Sequence, residues 1–208
     1  MESVLIFAGG DSPTDHLDDE LPNADLVVAA DSGYDFAVAS GFRVDILVGD
    51  LDSIETEVIP SHVIVERYPA DKDATDLELA LSRVVVEQPE RIVVVGGGGG
   101  RVDHELATAS LLCADDWSDI EVDWVTNRGW AHVIHRRRII HGDVGDTISL
   151  IPMGGPAVGV HTQGLRWRLD DATLSHGTTQ GVSNEFIGPV ADVRLSSGCL
   201  LAVVPSSG

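Results

Sequence analysis

Five aspartates lie in three short segments whose spacing suits a metal site. Asp31 lies in ADSG, Asp50 and Asp52 lie in GDLDS, and Asp73 and Asp76 lie in KDATD, each just after a predicted strand. Asp50 and Asp52 are two apart, so both side chains project to the same side. Neighbouring carboxylates repel each other unless a cation lies between them, and Mg²⁺ combines such ligands with phosphate oxygens. The pattern indicates a magnesium site that carries a phosphate; the alternative is a turn in which both aspartates cap backbone N–H groups.

The segment around Lys72 adds a signal for phosphate binding. Lys72 is the only lysine in a chain with 34 acidic residues. Thr75 and Glu78 have capping-box spacing, which predicts a helix start whose N–H groups attract anions. We expect Lys72 to reach a phosphate and Asp73 or Asp76 to hold the metal, whereas for Glu78 we favour capping alone.

A run of five glycines, Gly96–Gly100, follows another predicted strand. Glycines let the backbone approach a polyphosphate closely, and Arg101 at the end of the run can fork across phosphate oxygens. The run lacks the GK[ST] ending of a P-loop, and Arg101 takes the place of the third glycine of GxGxxG. The alternative is a flexible loop. Asp103 is either an N-cap or a site residue, and His104 has no assigned role.

The last third of the chain contains a weaker signal, in GLRWRL and GVSNEF. The indole of Trp167 can stack on a flat heterocycle, and Ser183 and Asn184 can hydrogen-bond ring nitrogens or amino groups. Without further context, a tryptophan such as Trp167 is more often a core residue, and a pair such as Ser183–Asn184 is more often a turn.

Short apolar runs alternate with helical patterns over the first two-thirds of the chain, which is typical of an α/β layer fold with a mostly parallel sheet. Ligands in such folds bind at the carboxyl ends of the strands, where the aspartates lie. The predicted strands are Val4–Ala8, Leu26–Ala30, Asp45–Val48, Val63–Glu66, Arg91–Val95 and Val122–Val125, all expected to be buried on both faces. The predicted helices are Tyr34–Ala39, Asp76–Glu87 and Asp103–Cys113.

The pattern changes near Gly129 to short strands separated by Gly, Pro and Asp turns. These strands are HVIHRRRII, TISLIP, VGVHTQG, RWRL, VADVRL and CLLAVV. We predict a three-layer α/β domain over residues 1–128 and a small antiparallel β-sandwich over residues 129–208.

Composition limits the partners. The net charge of −21 argues against nucleic acid and anionic membranes. No apolar run approaches the ~20 residues of a membrane span, and MESVLIFAGG lacks a basic n-region, so we expect a cytoplasmic protein. One lysine against twelve arginines, with so many acids, suggests a cytoplasm at molar salt. Cys113 and Cys199 lack metal-ligand spacing and are interpreted as buried thiols.

Taken together and in this order, the motifs resemble the thiamine pyrophosphokinase family, from about Asp11 to the C-terminus. The matching segments are ADSG at 30–33, GDLDSI at 49–54, DKDATD at 71–76, GGGGGRVDH at 96–104, TQGLRW at 162–167 and SNE at 183–185. Lys72, at a position that varies among relatives, and the all-glycine loop depart from the family pattern.

The resemblance implies a homodimer with its active sites at the subunit boundary. It also implies transfer of a diphosphoryl group from ATP to the hydroxyl of thiamine, giving AMP and thiamine diphosphate. By position it assigns Asp31, Asp50, Asp52 and Asp76 to Mg²⁺ and the polyphosphate; Lys72, Thr75, Gly98 and Arg101 to ATP, with Asp103 nearby; and Ser183, Asn184 and Trp167 to thiamine. Because such transfer depends on positioning and charge neutralisation, Arg101 is a candidate catalytic residue, and Asp76 or Asp103 a candidate base.

Two other functions fit part of the pattern. A pterin pyrophosphokinase would keep the aspartate and magnesium half and change the acceptor. A nucleotide- or thiamine-binding sensor would bind without turnover, but five site carboxylates with Lys72 and Arg101 exceed what binding alone requires.

Overall fold

The structure, a computed structural model, describes residues 1–11, 13, 21–56 and 58–206. The chain divides into two compact units. Unit 1 comprises Met1–Thr108 and Trp124–Asn127, and unit 2 comprises Ala109–Asp123 and Arg128–Gly208. This division differs from the predicted domains 1–128 and 129–208, because residues 109–123 and Arg128 group with unit 2.

Strands and helices alternate in unit 1, and the predicted α/β class is confirmed. The strands are β1 (Ser3–Ala8), β2 (Leu26–Ala30), β3 (Ile46–Gly49), β4 (Ile64–Arg67) and β5 (Arg91–Gly96). They pair in parallel in the order β4-β3-β2-β1-β5. The helices are α1 (Gly33–Ala39), α2 (Asp76–Val85) and α3 (Val102–Leu112), followed by a 3-10 helix (Asp115–Trp117) and β6 (Glu121–Thr126). The division between the units falls within α3 and β6.

The centre of this sheet is buried on both faces, as its Val- and Ile-rich runs predict. Val4, Leu5 and Ile6 of β1 have no exposed surface. The same expectation was wrong for Val63–Glu66, because β4 is the last strand of the sheet and Ile64 is 57% exposed. An edge strand is covered on fewer sides, so apolar content alone did not determine its burial.

Helix α2 begins where the capping pattern predicts. The Thr75 hydroxyl accepts a hydrogen bond from the Glu78 N–H at 3.2 Å. Leu77, Leu81 and Val84, spaced along one helical face, are buried. The helix therefore rests its apolar face on the sheet and presents its N-terminal turn at the carboxyl ends of the strands.

Unit 2 is an antiparallel β structure, as predicted for the last third of the chain. Its strands are β7 (Gly129–Ile134), β8 (Arg137–His141), β9 (Thr147–Gln163), β10 (Ala172–Leu174), β11 (Asn184–Glu185), β12 (Val190–Arg194) and β13 (Ser197–Pro205). They pair in the order β7-β13-β9-β12-β8, and β10 and β11 also pair with β9. The core includes Ile140, Ile148, Leu150, Val160 and Phe186.

Three details of the β prediction were wrong. HVIHRRRII is divided between β7 and β8, which are interrupted at residues 135–136. TISLIP and VGVHTQG are parts of one long strand, β9. RWRL is not a strand, because the backbone of Trp167 is hydrogen-bonded by the side chain of Asn184 rather than by a neighbouring strand.

The two cysteines are buried, as the sequence predicts. Cys113 and Cys199 are free thiols and form no disulfide. Within the described residues, no helix combines the length and hydropathy needed to cross a bilayer.

Candidate functional site

Three of the predicted metal ligands come together at the carboxyl edge of the parallel sheet. Asp31 follows β2, and Asp50 and Asp52 follow β3, the strand paired with β2. One carboxylate oxygen from each lies within 4.8 Å of the other two. Oxygen ligands at this spacing suit a hard cation such as Mg²⁺.

Among the residues that the structure describes, two carboxylate oxygens at this edge are buried and accept no aligned hydrogen bond, although one of them lies near Lys72. They are Asp31 Oδ1 and Asp76 Oδ1, the latter from the first residue of α2. Burial, followed by the nearby carboxylates Asp31 and Asp50, raises the pKa of Asp76, although Lys72 opposes the shift. A buried carboxylate oxygen without a donor is unfavourable unless something else supplies positive charge. For Asp31, this observation is independent of the spacing and fits a cation held with Asp50 and Asp52, whereas Asp76 lies outside that group of three and is paired with Lys72.

Gly49 allows these carboxylates to approach one another. A Cβ at this position would lie 3.1 Å from Asp76 Oδ1 and 3.3 Å from Asp31 Cβ, and the φ of +148° is rare for other residues. Asp31 itself has a φ of 48°, in the left-handed region that Asp and Asn tolerate best.

Lys72 supplies positive charge to this cluster. Its Nζ lies 3.2 Å from Asp76 Oδ1 and 3.6 Å from Asp50 Oδ2, and its side chain is largely buried. The contact with Asp76 is an ion pair without hydrogen-bond alignment. The Asp52 N–H, helped by Lys72, lowers the pKa of Asp50 and keeps it ionised. Lys72 therefore reaches the predicted site, although its partners here are carboxylates.

The glycine run forms a loop that packs against the end of β1. The Asp11 N–H donates to the Gly98 carbonyl at 2.9 Å, and the Gly97 N–H donates to the Gly9 carbonyl at 2.8 Å. A Cβ at Gly99 would lie 2.1 Å from Asp11 Oδ2, so this loop is held closely by its neighbours. The tight packing argues against the alternative of a freely flexible loop.

Arg101 and Asp103 bind each other beyond this loop. Arg101 donates from Nε and Nη2 to the two oxygens of Asp103 at 3.1 and 2.5 Å, and both side chains are mostly exposed. The Arg101 contact is the main reason that the pKa of Asp103 falls to about 2. Asp103 is the second residue of α3, so the N-cap alternative is wrong. A carboxylate with so low a pKa is a weak proton acceptor at neutral pH.

In unit 2, the structure brings Trp167, Ser183 and Asn184 together. They line a cavity of about 300 Å³ with Leu169 and Gln180. The Trp167 side chain is 56% exposed, which excludes the core interpretation, and Arg166 lies over its ring.

Asn184 is buried below this cavity and holds the chain at Trp167. Its Oδ1 accepts the Trp167 N–H at 3.0 Å, and its Nδ2 donates to the Trp167 carbonyl at 2.8 Å. Ser183 has a φ of 58°, and its N–H donates to Ser149 Oγ. The Asn184 amide thus fixes one wall of the cavity, a role that the sequence did not predict.

Two family models match the chain. Residues 17–122 match the catalytic domain of thiamin pyrophosphokinase, and residues 131–200 match its vitamin B1 binding domain. The chain belongs to the thiamin pyrophosphokinase family. The resemblance seen in the sequence is therefore confirmed.

Relatives of this family cover the chain to different extents. Thiamine pyrophosphokinase 1 of Oryza sativa subsp. japonica is 31% identical over 163 residues, which is 69% of this chain and 59% of the rice protein. Over this match the chain thus spans less than two thirds of the rice protein's length. Thiamine pyrophosphokinase of Bacillus subtilis is 26% identical over 98% of both chains.

Solved structures agree with the fold. The crystal structure of the Bacillus subtilis thiamine pyrophosphokinase matches over 100% of both chains with a TM-score of 0.83 at 24% identity. That of the Geobacillus thermodenitrificans thiamin pyrophosphokinase covers 99% of this chain and 98% of its own, with a TM-score of 0.79 at 25% identity. Both likenesses support the α/β unit followed by a small β unit.

Proposed function

We propose that this member of the thiamin pyrophosphokinase family transfers a diphosphoryl group from ATP to the hydroxyl of thiamine, giving AMP and thiamine diphosphate. The observation that carries the proposal is the aspartate cluster, in which Asp31, Asp50 and Asp52 bring oxygens within 4.8 Å of one another and, among the described residues, the buried Asp31 Oδ1 accepts no hydrogen bond. Such a cluster does not stabilise the fold, whereas it suits the binding of a cation and a polyphosphate.

Asp31, Asp50, Asp52 and Asp76 are the residues that would hold Mg²⁺. Bound there, Mg²⁺ would neutralise charge on the ATP oxygens during transfer. Lys72, already inside the cluster, is within reach of a phosphate at the same edge. Thr75 and the loop containing Gly98 are proposed to contact ATP through the α2 N-terminus and backbone N–H groups.

The two candidate bases differ in their surroundings. Asp103 is bound by Arg101 and has a pKa of about 2, whereas burial raises the pKa of Asp76. Because Arg101 already occupies both oxygens of Asp103, Asp76 is the better candidate to orient or deprotonate the thiamine hydroxyl. We propose that Arg101 exchanges Asp103 for phosphate oxygens when ATP binds.

Thiamine is proposed to occupy the cavity lined by Trp167, Ser183 and Asn184. The exposed indole offers a stacking face to a flat ring. The match of the vitamin B1 binding model over residues 131–200 supports thiamine over a pterin as the acceptor.

The test is formation of AMP and thiamine diphosphate by purified protein with ATP, Mg²⁺ and thiamine, in molar KCl and in dilute buffer. We expect both products in equal amounts. A requirement for salt would support a halophilic origin, which the net charge of −21 favours. ATP binding without thiamine diphosphate in either buffer would favour the pterin acceptor or the sensor.

A variant tests the thiamine half. In Asn184→Ala the Trp167 backbone loses hydrogen bonds worth about 1–3 kcal/mol, so we expect KM for thiamine to rise about tenfold with little change in KM for ATP. Asp146→Ala is the control, because Asp146 also accepts a backbone N–H in unit 2, from Asp143. An unchanged KM for thiamine in Asn184→Ala would contradict the assignment.

The homodimer and a cytoplasmic location are further parts of this proposal. Exposed apolar side chains on α3, Val102 and Leu106, support a subunit contact. Light scattering should give twice the chain mass of 22.1 kDa. A mass of one chain in molar KCl would contradict the dimer.

A further inference from the structure

Two of the candidate metal ligands, Asp50 and Asp52, lie on a segment without helix or strand, residues 50–56, here termed the 50–56 loop. Inside this loop the Asp52 N–H donates to Asp50 Oδ1 at 3.2 Å, and Ser53 Oγ donates to Asp52 Oδ1 at 3.0 Å. The near end of the loop is held by β3, because the Asp31 N–H donates to the Val48 carbonyl at 2.9 Å. The bonds inside the loop shape its turn but do not hold its far end.

Asp35, in the first turn of α1, binds the far end of this loop. Its Oδ2 accepts the Glu55 N–H at 2.7 Å, and its Oδ1 accepts the Thr56 N–H at 3.0 Å and the Thr56 hydroxyl. Within the described parts of the chain, no other hydrogen bond joins residues 51–56 to a helix or strand. Both oxygens of one carboxylate thus anchor a loop that has no backbone ladder of its own.

The same helix also fixes Asp31. The Tyr34 N–H donates to the Asp31 carbonyl at 3.0 Å, so Asp31 continues directly into α1. At Gly33 a Cβ would lie 2.2 Å from the Phe7 carbonyl oxygen, which shows how closely the start of α1 rests on β1. The short, tightly packed helix α1 therefore connects Asp31 to Asp35, the residue that binds the loop carrying the other two candidate ligands.

We propose that Asp35 is a positioning residue that holds the far end of the 50–56 loop so that Asp52, beside the strand-anchored Asp50, faces Asp31 across the cation site. The proposal rests on the proposed function only in naming Mg²⁺ as the cation. Residues that orient metal ligands commonly change metal affinity or activity by about 10–100-fold when they are removed.

The hydrogen-bond pattern at Asp35 requires a carboxylate. Burial raises its pKa, but the bonds from Thr56 and Glu55 outweigh this effect and lower it, so Asp35 is ionised at neutral pH. An asparagine has one acceptor oxygen, and its NH₂ group would face a backbone N–H donor. Asp35→Asn should therefore lose part of the anchor and Asp35→Ala all of it.

Asp25 provides a matched control in the same unit. It accepts backbone N–H groups from Glu2 at 2.7 Å and Ser3 at 3.3 Å, and it precedes β2, at the edge of the sheet opposite the aspartate cluster. Asp25→Ala removes the same kind of bond without touching the 50–56 loop.

The experiment compares wild type, Asp35→Ala, Asp35→Asn and Asp25→Ala in molar KCl. One readout is the Mg²⁺ concentration that gives half the maximal rate of AMP formation. The other is binding of Mn²⁺ alone, followed by electron paramagnetic resonance, with Asp31→Asn defining the component that belongs to the site. We expect Asp35→Ala to raise the half-maximal Mg²⁺ concentration and the Kd for Mn²⁺ about 10–100-fold. Asp35→Asn should raise both values less, and Asp25→Ala should leave both unchanged.

A merely structural role for Asp35 predicts a different result. Asp35→Ala and Asp25→Ala would then both lower Tm, and neither would change the dependence on metal, which would overturn the proposal. If Asp35→Ala does not fold, Asp35→Asn decides by the same readouts, and metal dependence equal to that of wild type overturns the proposal.

The Mn²⁺ measurement separates this inference from the reaction. If wild type makes no thiamine diphosphate but binds Mn²⁺ more tightly than Asp35→Ala does, the proposed function fails and the role of Asp35 stands. If wild type shows no Mn²⁺ component that Asp31→Asn removes, there is no site for Asp35 to position and the inference is wrong.

Discussion

The two units differ in how many hydrogen bonds their clustered carboxylates accept. In unit 1, Asp31, Asp50 and Asp52 bring ligand oxygens within 4.8 Å of one another, and a buried oxygen of Asp31 has no hydrogen bond. In unit 2, Asp123 has no exposed surface, but Arg138 donates to both its oxygens at 2.8 and 2.6 Å. His132 Nδ1 lies 2.7 Å from the same carboxylate.

This difference in hydrogen bonding distinguishes carboxylates placed for function from carboxylates that stabilise the fold. Protein interiors normally satisfy buried polar groups, and both oxygens of Asp123 accept hydrogen bonds, although Arg138 Nη1, among the described residues, has only an ion pair with Glu121 at 2.7 Å. Where a fold leaves acidic groups close together and short of donors, the arrangement opposes folding and persists for another reason, such as binding a cation. Charge satisfaction, rather than acidic content, distinguishes the candidate site from the structural ion pair.

The largest effect on activity is expected from Asp31→Asn. Asparagine has the same shape and tolerates the φ of 48°, so the backbone need not move. We expect the rate of AMP formation to fall at least about 100-fold, as when a charge-stabilising group is removed. The free energy of unfolding should stay level or rise, because one repelling charge is gone; retained activity with lost stability would reverse the comparison.

Asp123→Asn should show the opposite behaviour. It weakens a buried ion pair with Arg138, and we expect the free energy of unfolding to fall by about 3 kcal/mol, with kcat of the folded protein unchanged. Denaturant titration in molar KCl measures the loss. The double variant Asp123→Leu, Arg138→Met should recover much of it, because an apolar pair leaves no unpaired charge. If the double variant instead loses as much stability as the two single substitutions together, the broken ion pair is not the cause of the loss.

The smallest effect is expected at the exposed pair of Arg137 and Asp192, joined by two hydrogen bonds of 3.0 and 2.9 Å. The hydrogen bonds from Arg137 are the main reason that the pKa of Asp192 is lowered. The ion pair therefore contributes its full stabilisation above the ordinary aspartate pKa of about 4. This stabilisation disappears as the pH falls through the lowered pKa of Asp192 in the folded protein.

The measurement is the free energy of unfolding of wild type and Asp192→Asn against pH. Near neutral pH we expect a difference of less than about 1 kcal/mol, which shrinks as the solution is acidified. A difference as large as that for Asp123→Asn would mean that burial does not decide the value of an ion pair here.

Much of unit 1 and of its site could be predicted because the signals are local. The strand Leu26–Ala30 and the capped start of α2 follow from apolar runs and from the Thr75–Glu78 spacing. Parallel strands end at one edge, so aspartates placed after them had to be near one another.

The prediction was poorer where the partner is distant in the sequence. Arg138 was interpreted as part of a strand with no special role, although its alternation with Ile140 places both on the inner face of β8. The segment RWRL looked like a strand, but Asn184, seventeen residues further on, binds its backbone.

By itself, the sequence determined the family, the α/β and β division, and the aspartates that meet at one sheet edge, because periodicity, capping and strand order are short-range properties. Only the tertiary structure decided which charges are satisfied. It placed Arg138 against Asp123, left the buried Asp31 Oδ1 without a donor among the described residues, and bound Asp35 to the 50–56 loop. These outcomes depend on which distant donors reach a carboxylate once water is excluded, and residue spacing along the chain does not contain that information.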